Sequence, residues 1–412
     1  MKMGLRNYSL VTGAYWGFTL TDGALRMLVL LHFYALGYSA LQIAMLFLLY
    51  ESCGVVTNLV GGWIGSHFGL KVTLLAGLAL QVAALSALAG LEPGWSAALS
   101  VAYVMGAQAL SGIAKDLTKM SSKSAIKVLL PEGQDGTLFK WVAILTGSKN
   151  ALKGAGFFLG GVLLSALGFR AALLAMAAAL TLVLLAAVLA LPRDMGRAKT
   201  RVKFSHILAK SRNINLLSAA RLFLFGSRDV WFVVGLPLFL ASRLDWSHTE
   251  VGAFLALWVI GYGAVQALAP SLLRRGLAGG TPQGGTAAAG AFALAGLTAL
   301  IAWGVQAELA PWLTVIAGLA LFGLVFAINS SVHSYLILAY TEKDQVALNV
   351  GFYYMANAAG RLLGTLLSGA VYQVGGLPGC LWTSVALVLG AGLLSLALPR
   401  QPKGLPSRYS VS

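Results

Sequence analysis

Two lysines lie near the middle of an apolar segment that runs from about residue 138 to residue 169. Lys149 and Lys153 are four residues apart, so they share one face of a helix. A helix of this length crosses a bilayer core of ~30 Å, and a lysine at its centre costs roughly 2.5 to 3.5 kcal/mol when it meets lipid. Both side chains are therefore expected to face protein or water. Two interpretations stay open: structural lysines that snorkel or are neutralised by carboxylates, or a cationic wall beside a pathway for an anion.

The composition is that of a membrane protein. Hydrophobic residues make up 58% of the 412 residues, charged residues make up 10%, and the mean hydropathy is +0.81. Soluble chains of this length rarely reach such values. Most of the 29 Lys and Arg residues fall on one predicted side of the membrane, as the positive-inside rule requires. The net charge of +16 therefore indicates topology within a lipid bilayer and no nucleic-acid partner.

Apolar segments separated by Gly, Pro and charge clusters predict twelve transmembrane helices, with both termini cytoplasmic. The segments are residues 8–36, 39–65, 72–91, 95–116, 138–168, 170–191, 214–242, 249–272, 286–305, 312–339, 345–374 and 377–398. The first is interpreted as a retained helix, since it contains Asp22 and Arg26 and lacks a clear cleavage site. The predicted domains are an N-terminal half (1–191), a basic cytoplasmic linker (192–213), a C-terminal half (214–398) and a cytoplasmic tail (399–412).

The two predicted halves share a weak internal repeat. The segment GYSALQIAMLFLLY aligns with DWSHTEVGAFLALWVIGY, which matches Ser39 with Ser247 and Gln42 with Glu250. This six-plus-six division resembles the major facilitator transporters. The resemblance implies an all-α membrane protein with the major facilitator fold of two six-helix halves. It also implies a substrate site between the halves, near the middle of the membrane.

Two short motifs carry a further resemblance to that superfamily. GWIGSHFGLK, which ends at Lys71, is similar to its cytoplasmic loop signature, although Ser66 and His67 replace the usual Asp and Arg. The segment from Gly156 to Gly161 is similar to an exporter motif, with Phe157 in place of proline. Small residues also let helix backbones approach closely, which explains the second motif without export.

Ionisable residues inside the predicted spans define the candidate site. If all of them faced lipid, the cost would be roughly 25 kcal/mol, so they are expected to line an interior cavity. Positive charges outnumber negative ones, which favours an anionic substrate held by guanidinium groups. The expected substrate-binding residues are Arg26, Lys149, Lys153, Arg221, Arg228, Arg361, Tyr354 and Asn357, and the expected coupling residues are Glu51, Asp22 and Asp229.

Specific pairings are also predicted. Arg26 and Arg228 occupy comparable depths in the two halves and are predicted to clamp one oxyanion between them. Asp22 precedes Arg26 by four residues, a spacing that suits an ion pair. Glu51 has no charged partner three or four residues away, so it is predicted to exchange protons and to couple transport to proton entry. At the end of the fourth helix, a basic funnel that includes Lys115 is predicted to attract anions.

Several charged segments resemble a narrower family, and the likeness covers nearly the whole chain. They are TLTDGALRMLVLLHF, SGIAKDLTKMSSKSAIK, GSKNALKGAGFFLGG, RLFLFGSRDVWFVVGLPLFL and NAAGRLLGTLLSGAVYQVGG, which are similar to the organoarsenical efflux permeases usually called ArsJ. The resemblance implies export of 1-arseno-3-phosphoglycerate from a bacterium through its inner (plasma) membrane. It also implies a functional partner, a glyceraldehyde-3-phosphate dehydrogenase that makes the substrate, with no direct contact implied.

Other functions remain alternatives. The same scaffold would serve a transporter of another organophosphate or organic anion, or a drug exporter. A membrane enzyme is less favoured, because the sequence has no P-loop, no HExxH motif and no clustered metal ligands. Cys53 and Cys380 are too few for a three-thiolate arsenite site. No cofactor and no metal are expected.

Overall fold

The computed structural model describes residues 2–129, 135–192, 211–276, 282–340 and 346–399, and within these ranges the regular structure is entirely helical. The predicted linker and tail lie mostly outside the described residues. The helices are α1 (Lys2–Ala35), α2 (Ala40–Leu46), α3 (Leu48–Phe68), α4 (Leu70–Ala89), α5 (Ala97–Leu129), α6 (Asp135–Ala190), α7 (Arg212–Phe232), α8 (Gly235–Arg243), α9 (His248–Gly276), α10 (Gly284–Gln306), α11 (Pro311–Ala339) and α12 (Val346–Leu396).

Two of these helices are each a pair of spans. α6 contains Gly168 at φ 73°, and α12 contains Gly376 at φ 60°. Glycine adopts this left-handed conformation without steric cost, so the chain turns sharply at both points. Both turns fall where the hydropathy pattern places a break. Conversely, α2 with α3 and α7 with α8 each form a single span.

The membrane-spanning character is confirmed for the described part of the chain. Nine helical stretches there are long and apolar enough to cross a membrane, and the longest, of 43 and 48 residues, contain the turns at Gly168 and Gly376. With these two divided and α1 included, the described ranges hold twelve helical segments of membrane-spanning length. The two halves are α1 to α6 and α7 to α12.

The internal repeat has a structural counterpart at the start of the second helix of each half. Gln42 N donates to Ser39 Oγ at 3.3 Å, and Ser39 N donates to Gln42 Oε1 at 2.9 Å. In the other half, Glu250 N donates to Ser247 Oγ at 3.3 Å and Ser247 N donates to Glu250 Oε2 at 2.7 Å. These are reciprocal capping boxes. The same local device at the same place in both halves supports the alignment.

Small residues allow the close helix contacts that hold the centre together. α6 packs against α1 within its half and against α9 of the other half. A Cβ atom on Gly156 would lie 2.5 Å from the carbonyl oxygen of Leu20 in α1, and one on Gly161 would lie 2.5 Å from that of His248 in α9. The glycine motif therefore serves close packing on two faces, as the simpler of its two explanations predicts. A second contact between the halves places α2 and α3 against α12.

A lysine at the start of α4, just after the turn from α3, makes a polar contact with the end of α6. Gly69 precedes α4 at φ 82°, and Lys71 Nζ donates to the carbonyl oxygens of Val188 at 3.1 Å and Leu191 at 2.5 Å. A lysine at a helix C-terminus satisfies free carbonyl groups and interacts favourably with the helix dipole. Lys71 thus ties α4 to the end of α6. The side chains of Ser66 and His67, the two departures from the signature, are outside the described residues.

Candidate functional site

Glu51 is the centre of a charged cluster that joins the two halves. Its Oε1 lies 2.6 Å from Arg361 Nη2 and 3.1 Å from Arg26 Nη1, and its Oε2 lies 3.8 Å from Lys115 Nζ. The carboxylate is fully buried. Arg26 belongs to α1, Lys115 to α5 and Arg361 to α12 of the opposite half. Glu51 has no charged partner three or four residues away on its own helix, and its partners come from other helices.

Asp229 on α7 extends this cluster into the C-terminal half. Its Oδ2 lies 3.3 Å from Arg361 Nε, and its Oδ1 accepts a hydrogen bond from Arg228 Nε at 2.6 Å. Arg361 therefore binds a carboxylate from each half through different nitrogen atoms. A guanidinium group suits this role because its donors point in fixed, divergent directions. The predicted clamp of Arg26 and Arg228 is thus linked through Glu51, Arg361 and Asp229.

Asp22 does not form the predicted ion pair with Arg26. Its Oδ1 accepts a hydrogen bond from the Tyr50 hydroxyl group at 2.7 Å, whereas Arg26 pairs with Glu51. Tyr50 also carries Lys115 Nζ over its ring, 4.0 Å from the centroid. The four-residue spacing permits an ion pair along α1, but the carboxylate of α3 satisfies Arg26 instead. Tyr50 is a site residue that is absent from the candidates predicted by the sequence.

Lys153 also lies close to this cluster. It is half-buried on α6, and its Nζ lies 5.6 Å from the Phe157 ring centroid. It interacts electrostatically with Arg361, Arg26 and Arg228 and also with the carboxylate of Asp22. Within the described part of the chain, Lys153 has no carboxylate oxygen within 4.0 Å. Neutralisation by a direct carboxylate partner therefore does not account for Lys153. Lys149 is also half-buried, one turn earlier.

Arg221 lies in a separate polar group. Its Nε donates to Asn357 Oδ1 at 2.9 Å, and its Nη1 donates to both the carbonyl oxygen and the hydroxyl oxygen of Ser330 at 3.0 Å. Asn357 is a second predicted binding residue in this group. Tyr354 instead lies near α5, with Lys119 Nζ 5.8 Å from its ring centroid.

Three charged residues of this interior were missed or misplaced by the sequence reasoning. Lys115, which is predicted to lie in a basic funnel, contacts Glu51, Lys119 contacts Asp116, and Asp116 is fully buried. Lys119 Nζ lies 2.5 Å from Asp116 Oδ1 and 2.5 Å from Asn58 Oδ1. The hydropathy segmentation ended the fourth helix at residue 116, whereas α5 continues to Leu129. The signal available was the alternation of Lys and Asp at helical spacing.

Burial differs between the two signs of charge. The cations around the centre keep between 10% and 16% of their side-chain surface accessible, whereas the Glu51 and Asp229 side chains keep 0% and 1%. The cations are therefore slightly more accessible than the carboxylates that they pair with. The accessible cations are Arg26, Lys115, Arg228 and Arg361.

Aromatic rings complete the surroundings of these cations. The Arg26 guanidinium lies 5.1 Å from the Phe47 ring centroid, and that of Arg228 lies 5.0 Å from Phe225. Such cation–π contacts hold the cations in place without neutralising them. Within the described ranges, no group of three or more His, Cys, Asp or Glu residues is arranged to hold a metal ion. Cys53 and Cys380 are both free thiols.

Comparisons with known proteins agree with this architecture. The family model described as Major Facilitator Superfamily matches residues 11–304 and 217–410. A solved structure described as a bacterial homologue of the iron transporter ferroportin in an inward-facing state is similar over 95% of this chain and 98% of its own, with a TM-score of 0.68 and 16% identity. That likeness concerns the fold alone. No curated protein matches the sequence. The chain therefore belongs to the Major Facilitator Superfamily and is a multi-pass membrane transporter rather than an enzyme.

Proposed function

We propose that this transporter moves a small organic anion through the charged cluster between its two halves. The observation that carries the proposal is the separation of charge by burial. Cations from both halves that keep 10% to 16% of their side-chain surface accessible surround Glu51 and Asp229, which keep 0% and 1%. In a site built only for structural pairing, positive and negative groups would be buried together.

Two details support an anion rather than internal pairing alone. Lys153 lies among cations and has no carboxylate oxygen within 4.0 Å in the described residues. The Nη2 group of Arg26 is buried and has no hydrogen-bond acceptor among those same residues. A buried donor without a partner costs about 1–3 kcal/mol, more when it is charged. An oxyanion placed between Arg26 and Lys153 would supply both missing interactions.

The arrangement also suggests how the anion acts on the two halves. Arg361 binds Glu51 across the interface and Asp229 within its own half. A substrate oxyanion would compete with Glu51 for the same guanidinium groups, which loosens a contact between the halves when substrate is bound. We therefore assign coupling to Glu51, Asp22 and Asp229 as a group. The proposed proton antiport then places the exchanged proton on this group.

The substrate class agrees with the resemblance to organoarsenical efflux permeases. 1-Arseno-3-phosphoglycerate carries arsenate and phosphate groups, which suit an interior with surplus positive charge. On this proposal the protein lies in a bacterial inner membrane with both termini cytoplasmic. It exports what a glyceraldehyde-3-phosphate dehydrogenase makes from arsenate. The basic linker 192–213 would then lie on the cytoplasmic side, between the halves 1–191 and 214–398.

The proposal is tested with everted membrane vesicles and synthesised 1-arseno-3-phosphoglycerate. We expect uptake of the ester into vesicles under a proton gradient, with 3-phosphoglycerate as a weaker competitor. The matched variants are Arg361→Gln, which removes the bridging cation, and the exposed Arg243→Gln as a control. In arsenic-sensitive cells, arsenate tolerance should require both this protein and the dehydrogenase.

The possible outcomes distinguish transport of organic anions in general from transport of the arsenic ester. Uptake of other organophosphates but not of the arsenic ester would leave an organic-anion transporter and remove the arsenic role. Uptake of cationic or neutral drugs alone, unaffected by Arg361→Gln, would overturn the anion proposal itself. Loss of tolerance in cells lacking only the dehydrogenase would agree with the two-protein pathway.

A further inference from the structure

Arg221 is a buried cation whose observed hydrogen-bond partners are neutral. Its residue surface is 4% exposed, and its bonds go to Asn357 Oδ1 and to two oxygen atoms of Ser330. Among the residues described, no carboxylate lies within 4.0 Å of it. Neutral acceptors satisfy donor groups but leave the charge uncompensated, which is costly for a buried ion.

Arg221 lies on the same face of α7 as Arg228 of the central cluster, but at a different depth along the helix. Arg221 and Arg228 are seven residues apart on α7, so they share one face, about 10 Å apart along the axis. The ring of Phe225 lies between them, 4.0 Å from the Arg221 guanidinium and 5.0 Å from that of Arg228. On α12, Asn357 precedes Arg361 by one turn. The two helices thus carry two polar layers.

A second buried group near Arg221 also lacks partners. His333 is 0% exposed, and neither of its ring nitrogen atoms has a hydrogen-bond partner in the described part of the chain. It follows Ser330 by three residues on α11, so it lies on the same face as the residue that binds Arg221. The buried Tyr353 hydroxyl faces that of Ser334 without a well-formed hydrogen bond to it, and its ring lies 5.0 Å from the Arg221 guanidinium.

We propose that Arg221, His333, Asn357 and Tyr353 form a second anion subsite for an oxyanion of the phosphate or phosphonate class. Arg221 supplies the charge, while the imidazole N–H and the tyrosine O–H supply the donors that lack acceptors. Together with the central cluster, this subsite fits an elongated molecule with an anionic group at each end. This inference rests on the proposed function, since it takes the central cluster as the first subsite.

Neighbouring contacts show how the second subsite connects to the other half. Gln266 Nε2 donates to Ser330 Oγ at 3.3 Å, and Asn150 Nδ2 donates to Gln266 Oε1 at 3.2 Å. Asn150 belongs to α6 and Gln266 to α9. An anion that draws Arg221 away from Ser330 would therefore disturb a polar chain across the interface. Anion binding at either subsite would therefore disturb contacts between the two halves.

The experiment measures binding to the full-length protein in nanodiscs by isothermal titration calorimetry. The probes are methylphosphonate and α,ω-alkane bisphosphonates with two to six carbon atoms between the phosphorus atoms. We expect an optimum in chain length, at which the bisphosphonate binds at least about tenfold more tightly than methylphosphonate, as charge-assisted hydrogen bonds predict. Arg221→Gln should remove this preference, and the exposed Arg243→Gln should retain it.

His333→Phe is the second variant, since it removes the nitrogen atoms and keeps a ring in the same space. It should lower the bisphosphonate preference while Arg221 stays in place, which decides the question even if Arg221→Gln does not fold. Methylphosphonate binding without any gain for bisphosphonates would overturn the second subsite and leave the proposed function standing. An unchanged preference in both variants would overturn it as well. Binding of neither probe would overturn both proposals.

Discussion

Replacing Glu51 with glutamine tests the central cluster directly, because the change removes one charge and keeps the side-chain shape. Glu51 lies within 4.0 Å of three cations from three different helices. Of these, Arg361 retains a carboxylate partner in Asp229. The variant therefore makes the interior more positive and weakens a contact between the two halves.

Glu51→Gln should lower the stability of the folded protein and raise its affinity for an anion. Breaking a buried ion pair from one side costs about 3–5 kcal/mol, and the retained bond between Arg361 and Asp229 favours the lower end of that range. For a bound monoanion, losing a negative charge at about 6 Å removes about 3 kcal/mol of repulsion at an effective dielectric constant of about 20. That energy corresponds to roughly a 100-fold gain in affinity, so a gain between about 10-fold and 100-fold is expected.

Calorimetry with methylphosphonate measures the affinity, and thermal unfolding with and without methylphosphonate measures the stability. The expected pattern is a lower unfolding temperature without ligand and a larger stabilisation when ligand is added. Vesicle transport driven by a pH gradient should fall. Without Glu51, anion binding no longer breaks a contact between the two halves, so it cannot be coupled to their movement. The control is Glu250→Gln, an exposed position where Gln42 shows that glutamine completes the same helix cap.

If folded Glu51→Gln protein binds methylphosphonate no more tightly than the wild type, the proposed anion site beside Glu51 is refuted. That result would mean that the anion binds away from Glu51. Unchanged transport under a pH gradient would separately remove Glu51 from the coupling group. Equal effects in Glu250→Gln would show that the response is not specific to the cluster.

Three further substitutions test how the site is held. Tyr50→Phe removes the donor to Asp22, so unfolding should become easier by about 1.5–3 kcal/mol, and no change in denaturation would argue against that bond. Lys71→Met should cost about 1 kcal/mol and Lys71→Arg less, as measured by melting temperature, because only a cation caps the carbonyl groups at the end of α6. Gly160→Ala should destabilise the protein by about 1–3 kcal/mol, since its Cβ would overlap the Ala24 carbonyl oxygen. The control is Gly296→Ala, whose Cβ meets nothing within 4 Å and should cost no stability. Equal melting temperatures for the two variants would contradict the close contact of α1 with α6.

The sequence alone determined the class of fold. Apolar length fixed the spans, because a bilayer imposes one thickness on every crossing, and the breaks at Gly168 and Gly376 fall between predicted segments. The cost of charge in lipid also placed the ionisable residues in the interior. The repeat was also readable, through the match of Ser39 with Ser247 and of Gln42 with Glu250.

Only the tertiary structure decided which charges meet. Helical periodicity relates residues on one helix, so it favours Asp22 with Arg26 and leaves Glu51 without a partner. The partners of Glu51 come from other helices, with Arg361 separated from it by 310 residues in sequence. No local spacing carries that information, because it depends on how α3 packs against α1, α5 and α12. Periodicity places a charge on one face of a helix, and packing between helices decides what that face meets.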